Sequence, residues 1–218
     1  MKRISWLHPN DPPGRFPPVS QALDDPPGLL AAGGDLSAER LQAAYAQGIF
    51  PWYSAGEPVL WWSPDPREVL FPQELHLSRS LRRCLRRGEF TVTENTDFAA
   101  VIAACAEARG PKAGTWITPE MHAAYCELHR RGVAASVEVW KDGGLAGGLY
   151  GVISGPVFCG ESMFSRQDNA SKVALAWLAA RCIERGIALV DCQMPSAHLR
   201  SMGSRPLPRS EFLSILGL

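Results

Sequence analysis

Asp191-Cys192-Gln193 closes an apolar run, Gly186-Ile187-Ala188-Leu189-Val190, and is the densest chemical signal in the chain. The run reads as a short buried β-strand. Side chains two apart in a strand share a face, so Asp191 and Gln193 are expected on one side and Cys192 on the other. A carboxylate beside an amide at the end of a buried strand can orient and activate an attacking group. It can equally cap the turn that follows. A second acid, Glu161, stands in Gly160-Glu161-Ser162-Met163-Phe164-Ser165 at another strand end. Alternation puts it on the face of Met163, which suits a cationic group beside an apolar one, or a surface ion pair beside a core methionine.

Other clusters point to larger partners. Ser78 to Arg87 reads as a helix in which Arg79, Arg82, Arg83, Arg86 and Arg87 surround Leu81, Cys84 and Leu85. The planar arginine fork suits phosphate, and the plainer reading is a solvated helix face. Trp52, Trp61, Trp62 and Trp116 lie among Pro, Gly and polar residues, where aromatics can stack on bases or join two lobes. A helix over 169–185 aligns Ser171, Leu175, Leu178 and Cys182 on one stripe, either ordinary core or a wall of an apolar pocket. Arg166 to Ser171 joins a strand to a helix amino terminus, a place that favours anions. Asn169 and Ser171 stand where glycines would let a backbone approach a pyrophosphate, which weighs against coenzyme A. No covalent nucleophile is evident: Cys192 should face away from Asp191, and Cys159, on the face of Glu161, has no expected histidine neighbour.

Totals bound these readings. At 218 residues, one domain or a domain with a small lobe is expected. Lys+Arg and Asp+Glu both number 22, which excludes a strongly basic coat but not a local patch. No stretch of 18 apolar residues exists for a membrane span. Met1-Lys2-Arg3 is followed by His8, Pro9, Asn10 and Asp11 rather than by the apolar core of a signal peptide. The six cysteines form no CxxC pair and read as reduced thiols, and the five histidines have no zinc spacing, so no metal is expected. A cytoplasmic protein is the expectation.

Organisation follows the turn residues. The first 36 residues, dense in Pro and Gly, are expected as ordered turns rather than helix or sheet. Ser37 caps a short helix that ends at Gly48. A lobe boundary falls near 65, giving a small Pro/Gly/Trp-rich lobe over 1–65 and a second domain over 66–218. Helices are expected from Ser78 to Arg87, from Asp97 to Arg109 before Gly110, and from Thr118 with Pro119 at its first position. Ala134–Trp140 and Leu145–Ile153 should pair across Lys141-Asp142-Gly143-Gly144. Val157–Met163 is a third strand, the 169–185 helix and the 187–193 strand follow, and a helix starts at Arg209. The class is α+β.

Several segments, in order, resemble the leucyl/phenylalanyl-tRNA–protein transferases. They are Phe16-Pro17-Pro18, Pro27-Gly28-Leu29-Leu30-Ala31-Ala32-Gly33-Gly34-Asp35-Leu36-Ser37, and Ala44-Tyr45 leading to Gly48-Ile49-Phe50-Pro51-Trp52. Leu60-Trp61-Trp62-Ser63-Pro64-Asp65-Pro66-Arg67, Gly114-Thr115-Trp116-Ile117 and Phe158-Cys159-Gly160-Glu161-Ser162-Met163-Phe164-Ser165 come next, then Asn169-Ala170-Ser171-Lys172 and Asp191-Cys192-Gln193. The resemblance implies a GNAT-like acyltransferase domain with a mixed, mainly antiparallel sheet flanked by helices. It implies transfer of Leu or Phe, with Met as a further candidate, from aminoacyl-tRNA to an N-terminal Arg or Lys of acceptor proteins, marking them for N-degron degradation. By position, Asp191, Gln193 and Glu161 would be catalytic. Leu149, Met163, Leu175, Leu178, Cys182 and Val190 would surround the aminoacyl side chain, and Trp52 and Trp116 would meet the tRNA 3′ adenosine. The arginine helix would hold tRNA phosphates. Leu178 and Cys182 stand where family members can carry bulkier residues.

That reaction needs no cofactor, because an ester meets an amine that is partly neutral near pH 7. Asp191 would accept the proton, directly or through Gln193, in a protein expected to act as a monomer. The competing readings are an acetyl-CoA-dependent N-acetyltransferase and a non-catalytic RNA-binding module.

Overall fold

The computed structural model describes residues 3–107 and 116–218. Met1 and Lys2, the expected helix end at Arg109-Gly110 and Gly114-Thr115 of the Trp116 segment lie outside the described residues. A four-stranded sheet, in the order β1-β2-β4-β3, takes β1 (Ser5–Leu7), β2 (Leu29–Gly33), β3 (Phe50–Pro51) and β4 (Leu60–Trp62). This corrects the expectation that the first 36 residues hold no sheet, since β1 and β2 pair in parallel. The signal was Leu29-Leu30-Ala31-Ala32, a short apolar run that is buried throughout. The surrounding prolines obscured it. Trp61 seals this sheet by donating its Nε1 proton to Gly33 O at 2.9 Å.

Between β2 and β3, α1 (Ala38–Ala46) starts where Ser37 Oγ accepts from Arg40 N at 3.3 Å. The larger sheet has seven strands: β5 (Arg67–Leu70), β6 (Thr91–Glu94), β7 (Ala134–Lys141), β8 (Gly144–Ser154), β9 (Val157–Ser165), β10 (Leu189–Gln193) and β11 (Arg205–Leu207). Their spatial order is β11-β5-β10-β9-β8-β7-β6. Only β9 and β10 run parallel to each other; the other neighbours are antiparallel. The sheet is thus mixed and mainly antiparallel, as expected.

Helices flank it. α2 (Arg79–Arg87), α3 (Phe98–Glu107), α4 (Pro119–Arg130), α5 (Ala170–Glu184), α6 (Ala197–Ser201) and α7 (Arg209–Leu216) complete the element order. One apolar cluster joins α1, α3, α4, α7 and the small sheet to one face of the large sheet, through Tyr45, Ile49, Trp61, Val101, Tyr125 and Phe212. A second joins α2 and α5 to the opposite face, through Leu81, Leu149, Leu175 and Val190. The β7–β8 hairpin turns on Asp142 and Gly143, at φ 50° and 77°, the left-handed pair that a two-residue loop requires. At Gly147 a Cβ would come within 2.6 Å of Ala170 Cβ, so the glycine lets α5 lie directly on β8.

Candidate active site

β9 and β10 pair over only three residues: Leu189 with Val157, Val190 with Phe158, Asp191 with Cys159. Each strand then bulges. On β9 the register against β8 passes from Gly151↔Gly160 to Tyr150↔Ser162, leaving Glu161 as the extra residue. On β10 the register against β5 passes from Asp191↔Val69 to Gln193↔Glu68, leaving Cys192 extra, and Gln193 adopts φ 58°. A bulge bends its strand and interrupts strict alternation. The strands part, and side chains bridge the opening: Gln193 Nε2 donates to Glu161 Oε1 at 2.9 Å.

Asp191 is fully buried and grips Arg67 from β5. Arg67 Nε and Nη2 donate to the two carboxylate oxygens at 2.8 Å each. This is the two-pronged geometry in which the guanidinium matches a carboxylate best. The rings of Phe50 and Phe212 each lie 4.7 Å from the guanidinium carbon, and Nη1 reaches Gly48 O at 3.3 Å. Gln193 N donates to Asp191 Oδ1 at 2.9 Å, so Asp191 fixes the backbone of the amide residue beside it. Asp191 thus acts on Gln193 and Arg67 rather than facing open space with a free oxygen. Sequence reasoning quoted Arg67 within a motif but gave it no role. Arg67 lies in a four-residue strand whose every residue is buried, which a segment beginning with the charged Arg67-Glu68 pair did not announce.

Glu161 holds the other half of the centre. Tyr125 Oη, from α4, donates to Glu161 Oε2 at 2.9 Å, and Tyr45 Oη, from α1, meets Tyr125 Oη at 2.5 Å. Burial pushes the Glu161 carboxyl up to about 7, against the tyrosine hydroxyls and Gln193, which favour the anion; the Asp191 charge adds to the rise. Neither tyrosine was singled out from sequence. The expected shared face of Glu161 and Met163 does not hold. Because Glu161 is the bulged residue, its carboxylate turns to Tyr125, while Met163 packs with the α5-side cluster.

Two cavities meet at this pair. One, of about 310 Å³, is walled by Leu149, Met163, Leu175, Leu178 and Val190, and reaches Glu161, Gln193 and His198. Cys182, expected on the same wall, does not line it. One helical turn past Leu178, it lies behind Phe158 and Leu178 and faces a separate small void with Ala135, Val137 and Ile187. The second cavity, of about 420 Å³, is bounded by Trp52, Trp116, Phe50 and Met194, and shares Glu161, Cys192, Gln193 and Ser196 with the first. Of the four tryptophans read as available for stacking, Trp52 is exposed at 40%. Trp116 and Trp61 are buried, and Trp62 donates to Trp52 O at 2.7 Å. Arg79, Arg82, Arg83, Arg86 and Arg87 are all exposed on α2, which buries Leu81.

Two cavities thus converge on one carboxyl and one amide, an arrangement that suits a transferase bringing two substrates together. A family model described as leucyl/phenylalanyl-tRNA protein transferase matches residues 69–217, and one for the N-terminal domain of that transferase matches residues 34–65. A leucyl/phenylalanyl-tRNA–protein transferase from Azotobacter vinelandii is 62% identical over 201 residues, covering 92% of this chain and 89% of that protein. The one from Pseudomonas aeruginosa is 57% identical over 213 residues, 98% of this chain and 93% of that protein. Among solved structures the chain is similar to a GCN5-related N-acetyltransferase from Kribbella flavida, with 14% identity, 75% of this chain and 58% of that one covered, and a TM-score of 0.41. The chain belongs to the leucyl/phenylalanyl-tRNA–protein transferase family and is an aminoacyltransferase. Among the described residues no helix is long and apolar enough to cross a membrane.

Proposed function

We propose that the protein moves leucine or phenylalanine, and also methionine, from aminoacyl-tRNA to the N-terminal Arg or Lys of acceptor proteins, marking them for N-degron degradation in the cytoplasm, and that it acts as a monomer. The observation that carries this reading is the apolar cavity ending at the Glu161–Gln193 bond. Unbranched or γ-branched side chains fit such a slot between Leu149, Met163, Leu175, Leu178 and Val190. The adjoining cavity, with Trp52 and Trp116 on its walls, takes the terminal adenosine of the donor, whose base stacks on an aromatic face. The α2 arginines take tRNA phosphates without reading sequence.

In the mechanism, the acceptor's α-amino nitrogen attacks the ester carbonyl carbon. Glu161, ionised above about pH 7, takes a proton from that nitrogen. The C–O bond to the tRNA 3′ oxygen then breaks, and Glu161 returns the proton to the leaving oxygen. Gln193 and Tyr125 hold Glu161 by one oxygen each. Asp191, neutralised by Arg67, holds Gln193. This moves the proton-accepting role from Asp191 to Glu161, because Asp191 is fully buried and paired at both oxygens with the Arg67 cation, whereas Glu161 accepts single bonds from neutral groups and borders both cavities. The ester is already activated, so no metal or cofactor enters the scheme. Bringing amine and ester together supplies up to roughly 7–11 kcal/mol of the barrier in ideal geometry.

The test is incubation of the purified protein with radiolabelled Leu-tRNA and peptides beginning with Arg, Lys or Ala. Label on the Arg and Lys peptides alone is the expected result. Label on none of them, with acetylation from acetyl-CoA instead, overturns the reading.

A further inference from the structure

Resting on that reading of the donor as a charged tRNA, we propose that Lys141 and Arg166 form, with Arg83 and Arg87, a clamp for a backbone phosphate of that RNA. Three elements build it. A cavity of about 510 Å³ is lined by Arg83 and Arg87 of α2, by Lys141 at the β7–β8 turn, and by Arg166 and Asn169 between β9 and α5. Arg79, Arg82 and Arg86 are not part of its lining. Four cations stand there against two carboxylates, Glu89 and Asp168. Arg87 donates to Glu89 at 3.3 Å and Arg166 to Glu107 at 3.0 Å, pairs exposed enough for a phosphate to compete with them.

The cations are also held in place. The Lys141 ammonium lies 5.5 Å from the centre of the Phe90 ring, and the Arg166 guanidinium 5.5 Å from that of Phe164. Aromatic faces orient a cation without cancelling its charge. The amino end of α5, a helix of 15 residues, opens on the same cavity at Asn169 and adds its positive dipole end. Arg166 stands five residues after Glu161, one past the end of β9, so clamp and reacting centre are at most roughly 17 Å apart along the backbone, a span of a few nucleotides. Lys141 and Arg166 are therefore positioning residues: they fix where the RNA strand leaves the adenosine cavity.

The experiment compares wild type, Lys141→Ala/Arg166→Ala and Lys141→Arg/Arg166→Lys. Binding of uncharged tRNA is measured by fluorescence anisotropy from 50 to 300 mM salt, and aminoacyl transfer is followed from charged tRNA and from phenylalanyl-adenosine, which carries no phosphodiester. The alanine pair is expected to weaken tRNA binding about tenfold near 0.15 M salt and to flatten the slope of log affinity against log salt by about 1 to 2. KM for charged tRNA should rise in step, with kcat at saturation held, and the penalty with phenylalanyl-adenosine should stay under twofold. The charge-retaining pair should recover most of the binding. Unchanged tRNA affinity and slope in the alanine pair overturn the clamp. So does an equal loss with phenylalanyl-adenosine, which marks a general structural defect. If coenzyme A stabilises wild type but not the alanine pair while tRNA binding is unaffected, the cavity serves a small phosphate ligand instead and the proposal falls. Binding of uncharged tRNA is read without turnover, so an enzyme that binds tRNA through these cations yet transfers nothing sinks the proposed function and not the clamp.

Discussion

Glu161 and Cys192 are each the extra residue of a β-bulge, on strands that lie side by side. The two irregularities fall just beyond the last parallel pair, Asp191 with Cys159. Each bends its strand away from the other, so the opening between them is a product of backbone register rather than of loop placement. Both residues border both cavities. The centre of the sheet becomes a cleft without losing the strands that hold Asp191 and Arg67.

Replacing Glu161 by Gln keeps the shape and removes the base. The expected loss in kcat is about 10²- to 10⁴-fold, with KM for charged tRNA little changed. In wild type, kcat should climb as pH rises through about 7, because the carboxylate must be ionised to accept a proton. In Glu161→Gln that limb should disappear, leaving the rise that belongs to the acceptor amine at about 7.7–8.0. Steady-state rates from pH 5.5 to 9 decide the matter, and an unaltered profile would remove Glu161 from proton transfer.

The same group has a thermodynamic signature. Its pKa in the folded protein, about 7, exceeds the ordinary 4.5, so the folded state keeps the proton that the unfolded state has released. The Glu161 contribution to stability is therefore lost as pH rises from about 4.5 to 7, and it is flat above. At ~1.4 kcal/mol per pKa unit the loss is about 3 kcal/mol at most, and smaller to the extent that cavity water reaches the carboxylate. Urea melts of wild type at pH 5 and pH 8 should differ from those of Glu161→Gln in this sense. A difference of opposite sign contradicts the burial argument.

Arg67 and Asp191 should be costly to separate and cheaper to remove together. Arg67→Met or Asp191→Asn alone leaves one side of a buried pair uncompensated, an expected loss of about 3–5 kcal/mol. The double variant Arg67→Met/Asp191→Leu should regain most of that stability. It should remain inactive, since Gln193 N loses its acceptor. Chemical denaturation and transfer assays on the three proteins separate the two roles, and a double variant as unstable as the singles would show that the pair stabilises more than it costs to bury.

Donor choice should follow the walls of the cavity and not the stripe of the helix. Leu178→Phe narrows the slot and is expected to lower kcat/KM for Phe-tRNA relative to Leu-tRNA by roughly tenfold or more, within the 1–3 kcal/mol that such pockets discriminate. Cys182→Ala should leave the ratio within twofold, because its side chain faces the other void. Competition between the two charged tRNAs in one reaction reads the ratio directly.

Trp52→Ala should raise KM for charged tRNA about 5- to 100-fold, the worth of one stacked base at roughly 1–3 kcal/mol. Trp52→Phe should retain most of the affinity. Equal behaviour of the two variants would argue for hydrophobic packing against Trp62, whose ring centre is 5.5 Å away, in place of stacking.

Much of this arrangement was legible in residues 119–193, where periodicity and turn residues agree. Thr118, Pro119 and Gly132 delimit α4, Asp142-Gly143 sets the hairpin, and the alternation along β8 and β9 needs no distant partner to be read. The Asp191–Gln193 and Glu161 segments could be picked out for their chemistry. Their meeting could not, because it depends on two one-residue bulges that alternation alone does not announce. The short strands β5, β6 and β11 and the helix α6 went unread for a related reason. Arg67-Glu68-Val69-Leu70 is half charged and yet buried, since its charges are matched by Asp191, Ser204 and Arg200, residues more than 120 positions away. Cys182 was misplaced because a helical stripe fixes direction but not how far along a helix a cavity extends.

Tyr45 ends on the hydroxyl that steadies Glu161. Under the proposed mechanism the amino-terminal portion is thus a working part of the reaction centre, not a detachable handle for RNA. Trimming the polypeptide near residue 65, or swapping that portion between relatives, would alter the acid itself: its tilt, its hydration and the acidity at which it lets go of hydrogen. Chimeras of this enzyme would differ in chemistry even where every side chain of the cleft floor is retained.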